Sequence, residues 1–428
     1  MSTAATLSSR PETVVRSVRS WKTPILLGVL AVIALLVFAL GTPSAEVTFR
    51  LTDESAAVTL PNVVLWAPLV GWAAGILLAL AAAHSAFLTS RGLRIPGWLI
   101  AVFAVIFVLA FLTWAVGSAR TTNVALYGLL AGSVTLAVPL IFGSLSGVLC
   151  ERSGIVNIAI EGQLLFGAFA AAVAGSLSGS AFVGLLAAMV AGVLVSLVLA
   201  VFSIKYIVNQ VIVGVVLNVL VSGLTGFLFS TVLSKDGAKW NSPPRLPNLR
   251  IPFLADIPVI GPILFDQSII GYLMYVAVAA VWFGLFRTRW GLRTRAVGEH
   301  PKAADTLGVN VNRTRFLNVL LAGAVAGMGG AFFTLVSVSG FGRDMTAGQG
   351  YIALAALILG RWNPIGAFFA ALVFGFATNL QYVLSLLGTP VPNQFLAMLP
   401  YLVTIFAVAG VVGKSRAPAA SGIPYVKG

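Results

Sequence analysis

RTRWGLRTRAVGEHPKAADTLGVNVNRTR, residues 287–315, interrupts an otherwise apolar chain, with hydrophobic spans on both sides of it. Seven basic residues (Arg287, Arg289, Arg293, Arg295, Lys302, Arg313 and Arg315) stand here against two acids, Glu299 and Asp305. Such an excess between spans marks the cytoplasmic side of a membrane. Inside the stretch sits a short helix signal. Pro301 suits a first helical position, because its missing N–H would be unpaired there anyway, and Gly308 suits the residue after a helix, where positive φ is needed. Between them lies KAADTL, about two turns, too short to be stable alone because helix nucleation costs more than a few hydrogen bonds return. The helix therefore packs on something, either its own membrane domain or another protein. Ala304 is the small apolar residue at its middle, three residues before Leu307 and so on roughly the same face.

Composition agrees with a chain built of spans. Of 428 residues, 59% are hydrophobic and 9% are charged, whereas a soluble domain carries about 25% charge. The fold class expected is all-α, a polytopic integral membrane protein. Candidate spans, each near the ~20 residues that cross ~30 Å of hydrocarbon, run over 24–40, 61–83, 97–117, 124–149, 155–175 and 181–204. The series continues over 211–233, 269–286, 316–336, 347–360, 364–386 and 395–412, which makes twelve. The stretch 347–360 is short and glycine-rich, and reads as a broken or re-entrant helix of the kind tolerated where it lines a cavity. The first span has a long polar leader and no good cleavage point, and reads as retained rather than as a signal peptide.

With the N-terminus inside, 19 of the 26 basic residues fall on the inner side and 7 on the outer. The formal charge of +14 is therefore topological, and no basic folded surface for nucleic acid is expected. Trp21, Trp66, Trp98, Trp114, Trp290 and Trp362 all lie at span ends, as interfacial anchors do. His84 and His300 read as exposed loop residues, and the single cysteine, Cys150, excludes an internal disulfide.

Chemistry is sparse. Gly413-Lys414-Ser415 looks like the end of a phosphate loop, but position 408 is valine where the first glycine belongs. No metal-ligand spacing and no nucleophile turn is found, so neither enzyme nor cofactor is expected. What remains is polar groups within spans. Glu161 lies in ERSGIVNIAIEGQLLFGAF, with Asn157 and Gln163 nearby. A charge at mid-bilayer costs roughly 2.5–3.5 kcal/mol on insertion scales, so such a group faces the protein interior or a water-filled path. Two readings stay open for Glu161: a lining residue of a solute pathway, or a structural carboxylate hydrogen-bonded to a neighbouring broken helix. Asn218, Asn318, Gln349, Asn379 and Gln381 are weaker members of the set, each also able to act as interhelical glue worth about 0.6 kcal/mol. In LAGAVAGMGGAFF, Gly323 and Gly327, with Gly330 a turn on, predict close helix packing. Residues 234–268 form a long outer segment with six prolines, read as a surface-lying or partner-receiving loop or as a rigid connector.

At this point three segments carry a resemblance. AVGEHPKAADTLGVNV, followed by the glycine-rich span, resembles the cytoplasmic coupling loop of permease subunits of bacterial ABC importers of the ribose and branched-chain amino acid superfamily. ERSGIVNIAIEGQLLFGAF and DMTAGQGYIALAALILGRWNPIGA are similar more narrowly to the nucleoside or simple-sugar branch. By that resemblance Gly298, Glu299, Pro301, Ala304, Asp305, Leu307 and Gly308 form a coupling helix that docks on an ATPase. Asn157, Glu161, Gln163, Asn218 and Gln349, with the segments 157–163 and 346–352 that hold most of them, would lie near the translocation pathway. The resemblance also implies an ABC ATPase subunit, a second permease subunit in a heterodimer or homodimer, and an extracytoplasmic solute-binding lipoprotein. The layout expected is a cytoplasmic tail at 1–22, an N-terminal extension of three spans at 23–120, a permease core at 121–413 and a cytoplasmic tail at 414–428. The extension exceeds the usual core of the superfamily. Gly162-Gln163 and Gly348-Gln349 hint at an inverted repeat. An ion-coupled secondary transporter is the reading from another class, disfavoured because Glu161 is the only clear carboxylate within a span. An ABC permease for ribose or a branched-chain amino acid is the reading nearest in kind.

Overall fold

The computed structural model describes residues 20–52, 58–389, 391–406 and 416–427. The chain divides into two compact units, Met1–Val47 with Val64–Thr122, and Thr48–Val63 with Asn123–Gly428. The first holds three apolar helices, α1 (Lys22–Ala39), α2 (Ala67–Ser90) and α3 (Gly97–Gly117). Their shared core sets Ala74 and Leu78 of α2 beside an aromatic edge, where Phe38 meets Phe107 and Phe111 at ring distances of 5.3 and 5.8 Å. Pro68 opens α2 at a position that needs no N–H donor.

The second unit is built on α4 (Leu126–Glu151), α5 (Ile160–Ser178), α6 (Ala181–Lys205), α7 (Gln210–Leu233) and α8 (Ile269–Arg287). It continues with α9 (Arg289–Glu299), α10 (Pro301–Thr306), α11 (Val311–Ser337), α12 (Gln349–Leu359) and α13 (Pro364–Leu387). Helices α4 and α11 form the interior: 89% and 72% of their most apolar windows are buried, against 28% for α8. The outer helices present bare apolar side chains such as Val219 and Phe227, as a lipid-facing surface does.

Glycine puts α11 in the middle. A methyl on Gly323 would overlap Ser196 Oγ and the Gly192 carbonyl of α6, and one on Gly330 would overlap the Leu164 carbonyl of α5. A methyl on Gly167 would lie 2.8 Å from the Gly327 carbonyl oxygen. Backbones at this distance gain dispersion along the whole seam, which is what a small-residue stripe achieves in a membrane.

Among the described residues ten helices are long and apolar enough to cross a membrane, not twelve. Of the other two expected spans, 347–360 is the 11-residue α12, about 16 Å long at 1.5 Å per residue. In 395–412 the described part is two short helices, Asn393–Ala397 and Leu399–Phe406, while 407–412 lies outside the described residues. So do residues 1–19 of the expected N-terminal tail and Gly413-Lys414-Ser415. The span expected from residue 155 starts as helix only at Ile160. The outer segment 234–268 is not plain loop: it holds helices Gly237–Trp240 and Ile260–Phe265, and Asn248–Arg250 pairs antiparallel with Asp266–Ser268. His84 sits on α2, exposed, rather than in a loop.

Sidedness is testable at exposed positions. Cys150 is fully buried and silent to a bulky maleimide. Cysteines replacing Ser242 and Arg293, both exposed, are expected to react with an impermeant maleimide in intact cells at 242 and only after permeabilisation at 293. Reaction at 293 in intact cells would reverse the assigned orientation.

Candidate functional site

Between α4 and α5 the chain runs without regular structure through Ile155–Ile158, with Ile155 and Asn157 fully buried. Irregular backbone inside an apolar body must find its hydrogen-bond partners in side chains. The Val156 N–H donates to Gln210 Oε1 at 2.7 Å, the Ala159 N–H to Asn157 Oδ1 at 3.1 Å, and Asn218 Nδ2 donates to the Ile158 carbonyl at 2.9 Å. Asn218 Oδ1 also accepts from the Gly162 N–H at 2.8 Å. Asn157 and Asn218, two of the polar residues that stood out along these spans, thus hold this break in place together with Gln210.

Asn157 and Gln163 belong to a closed network. Asn157 Nδ2 donates to Ser146 Oγ and Gln163 Oε1, and Gln163 Nε2 donates to Ser196 Oγ at 2.8 Å. All four side chains are fully buried. They tie α4, α5 and α6 together and face no open surface.

Glu161 sits differently, half-buried in the first turn of α5. Its Oε1 accepts from Thr346 Oγ1 at 2.6 Å and from the Gly348 N–H at 2.8 Å, and its Oε2 from the Gly350 N–H at 2.6 Å. The carboxylate thus closes the N-terminus of α12 while standing at the N-terminus of its own helix, near two positive dipole ends. Three bonds to a charged acceptor, about 1.5–3 kcal/mol each, outweigh the roughly 2.5–3.5 kcal/mol cost of a carboxylate in hydrocarbon. Gly350 is required by the contact: a Cβ there would lie 2.5 Å from Glu161 Cα. Gly162-Gln163 and Gly348-Gln349 thus sit at the starts of the two helices that meet at this carboxylate.

Around it lies a partly open polar shelf. Tyr351 is 49% exposed, its hydroxyl accepting from Asn218 Nδ2 at 3.1 Å, and Ser222 Oγ donates to Asp344 Oδ1 at 2.5 Å. Gln349 is half-buried, its Oε1 without a hydrogen-bond partner. Asp344 and Ala347 hold positive φ of 48° and 45° ahead of Gly348 at 80°, backbone that non-glycine residues adopt only at a cost of about 1–3 kcal/mol each. Of the five expected pathway residues the structure places Glu161 and Asn218 at this shelf, with Gln349 in the first turn of α12 behind it. Thr346 and Tyr351 of the expected 346–352 segment join them, and Ser222 and Asp344 do so unannounced, because no spacing in the sequence relates α7 to residue 344.

Trp362 departs from the interfacial expectation. It is buried, its Nε1 donating to the Glu151 carboxylate, while Arg152 Nε donates to its carbonyl at 2.8 Å. This pair pins the α12–α13 turn to the end of α4.

The stretch 287–315 is mostly helix. α9 was missed as an element because its charges hide the buried face of Gly291, Thr294, Val297 and Gly298. Pro301 opens α10 and Gly308, at φ 81°, follows it, as their chemistry requires. Ala304, 3% exposed, packs against Val297 and Val311 of its own chain. Leu307 is not on that face: it lies in the cap of α10 and is 84% exposed. Gly298 presses on the α4–α5 turn, where a Cβ would overlap the Arg152 carbonyl. Glu299 Oε2 accepts from the Ala419 N–H at 3.1 Å, and Asp305 is half-buried.

Residues 129–408 match the family model described as branched-chain amino acid transport system / permease component. The chain is similar to the guanosine ABC transporter permease protein NupQ of Bacillus subtilis, 41% identical over 69% of this chain and 95% of that protein. It is similar to the nucleoside ABC transporter permease protein NupC of Lactococcus lactis, 39% identical over 70% of this chain and 96% of that one. The putative glucose ABC transporter permease protein TsgC13 of Haloferax volcanii is 32% identical over 67% and 92%. No solved structure matches.

The Glu161 geometry makes a stability prediction. In Glu161→Gln the amide supplies one acceptor oxygen and one NH₂, so a backbone N–H of Gly348 or Gly350 loses its partner. Unfolding in detergent is expected to become easier by about 1–3 kcal/mol, read as a lowered thermal midpoint. An unchanged midpoint would show that the carboxylate does not hold α12.

Proposed function

Because the chain belongs to the branched-chain amino acid transport system / permease component family, we propose that it is the membrane-spanning permease of a nucleoside importer driven by a separate ATP-binding-cassette subunit. The observation that carries the substrate class is the pair of relatives named for guanosine and for nucleosides at 41% and 39% identity, above the 32% of the relative named for glucose. The shelf around Glu161 supports a pathway at α5, α7 and α12. Its groups pair a polar surface with the half-exposed ring of Tyr351, a combination suited to a ligand with both a sugar and a base. Asn157 and Gln163 act there at one remove, through the α4–α5–α6 network that positions the start of α5.

In this reading a second permease subunit faces the shelf, an extracytoplasmic solute-binding lipoprotein delivers the nucleoside, and the ATPase docks on the exposed side of α10. That side carries Leu307, with Lys302 and His300 exposed nearby. Ala304 belongs to the hidden side and serves the fold of the coupling loop. In this reading the excess of basic residues puts this loop and both termini on the cytoplasmic side of the membrane, and residues 23–120 extend the permease core.

Uptake decides the substrate. A strain lacking this chain is expected to lose uptake of labelled guanosine and regain it on complementation, with glucose uptake unaffected; loss of glucose uptake instead would transfer the assignment to sugars. Two substitutions separate the faces of α10. Leu307→Asp is expected to lower ATPase co-purification at least tenfold, about 1.4 kcal/mol, with thermal unfolding unchanged. Ala304→Asp puts a carboxylate into an apolar contact and is expected to reduce the folded protein itself, at a cost of roughly 3 kcal/mol or more. Full ATPase association in Leu307→Asp would overturn the docking assignment.

A further inference from the structure

Residues 416–427 lie as an irregular strip across the α9–α10 pair, bonded to α9, to α11 and to the α4–α5 turn. The Ala420 N–H donates to the Gly298 carbonyl at 2.9 Å, and the Gly422 N–H to the Gly154 carbonyl at 3.2 Å. Arg315 Nη1 donates to the Ile423 carbonyl at 3.0 Å. Tyr425 packs on the small cluster of Val297, Ala304 and Val311. Within seven residues the strip therefore bonds to the end of α9, the start of α11 and the α4–α5 turn.

Two features mark it as more than loose packing. Ala420 is 4% exposed, and Arg315 is 2% exposed with its Nε and Nη2 unpaired. Among the described residues the one hydrogen bond of this guanidinium goes to the strip, so the strip supplies the acceptor for a charge that lies beneath it. The turn it holds is also the one that leads to the site. Gly154 is followed by Ile155–Ile158, then by Glu161 and its bonds to α12. Gly298 touches the preceding residue pair directly, at the Arg152 carbonyl. A push on α10 thus has a packed route to the shelf, and the strip bonds both sides of the Gly298–Gly154 step.

We propose that residues 419–425 are a positioning strap that makes the α9–α10 pair and the α4–α5 turn one lever, so that movement at α10 reaches Glu161 and α12 instead of being lost in local play. This rests on α10 being the ATPase contact. The strap touches neither solute nor nucleotide. Its removal uncouples transport from hydrolysis, where a merely structural strap would lower both together.

The test uses the complete complex, with partner permease and ATPase, in liposomes, with the binding protein and labelled guanosine as the probe. Tyr425→Ala and a chain lacking residues 416–427 are expected to keep ATPase association and solute-independent hydrolysis within about twofold of the unaltered complex. Guanosine moved per ATP is expected to fall at least tenfold. Tyr425→Phe keeps the ring and is expected to transport normally. Unchanged guanosine per ATP in both altered chains overturns the strap, as does a parallel loss of hydrolysis and transport. If the shortened chain is not recovered in the membrane, Tyr425→Ala decides alone by the same ratio. An unaltered complex that fails to bind the ATPase overturns the reading of α10 itself, and that failure is seen before any variant is compared.

Discussion

The carboxylate of Glu161, bonded to Thr346, Gly348 and Gly350, answers the constraint that shapes the whole second unit. An apolar surrounding supplies no water to satisfy free backbone groups, so each interruption of a helix needs partners from within the protein. Two interruptions come together here. The break at Ile155–Ile158 takes its partners from Gln210, Asn157 and Asn218, and the start of the short α12 takes its own from Glu161. One acid at the meeting of two helix starts does what a string of neutral caps would otherwise do, and its charge is matched by the dipoles it faces.

That arrangement is possible only because the surrounding helices are fixed at short range. The glycines of α11 bring it against α5 and α6 until backbone meets backbone. The Ser146, Asn157, Gln163 and Ser196 network adds direction to a seam that dispersion alone would leave free to slide. A tightly packed body with a half-open polar shelf fits a transport component: the body resists deformation, and the short α12, preceded by strained residues at 344 and 347, is bonded at its start through Glu161.

The α9–α10 pair completes this logic at the other end. Its charged residues made it look like solvent-exposed chain, yet its small residues, Gly298 and Ala304, are buried against the same protein, and the large Leu307 is left outside. A helix as short as α10 persists because it borrows its stability from Val297 and Val311. What it presents outward, Leu307 above all, is left clear of the protein's own core.

Much of this was legible along the chain. Hydrophobic run length foretold the ten long helices, because a bilayer demands about 20 apolar residues per crossing and local composition reports that directly. Pro301 and Gly308 announced the ends of α10, and the glycine spacing of α11 announced its close contacts, since backbone chemistry at caps and small-residue faces is local. The carboxylate at 161 was visible as an anomaly, with a neighbouring broken helix among its two readings, but which helix it bonded was not. Pairings such as Glu161 with Gly350, Asn218 with Tyr351, Trp362 with Glu151 and Arg315 with Ile423 join residues from about 100 to more than 200 positions apart. Nothing in the periodicity of either partner encodes them. The sequence by itself determined that this is a membrane-spanning helical protein with a charged loop and a few polar residues needing company. Only the tertiary structure decided which groups keep that company, because hydrogen bonds between distant segments depend on how whole helices pack, and packing is settled by the joint fit of many side chains rather than by any one stretch.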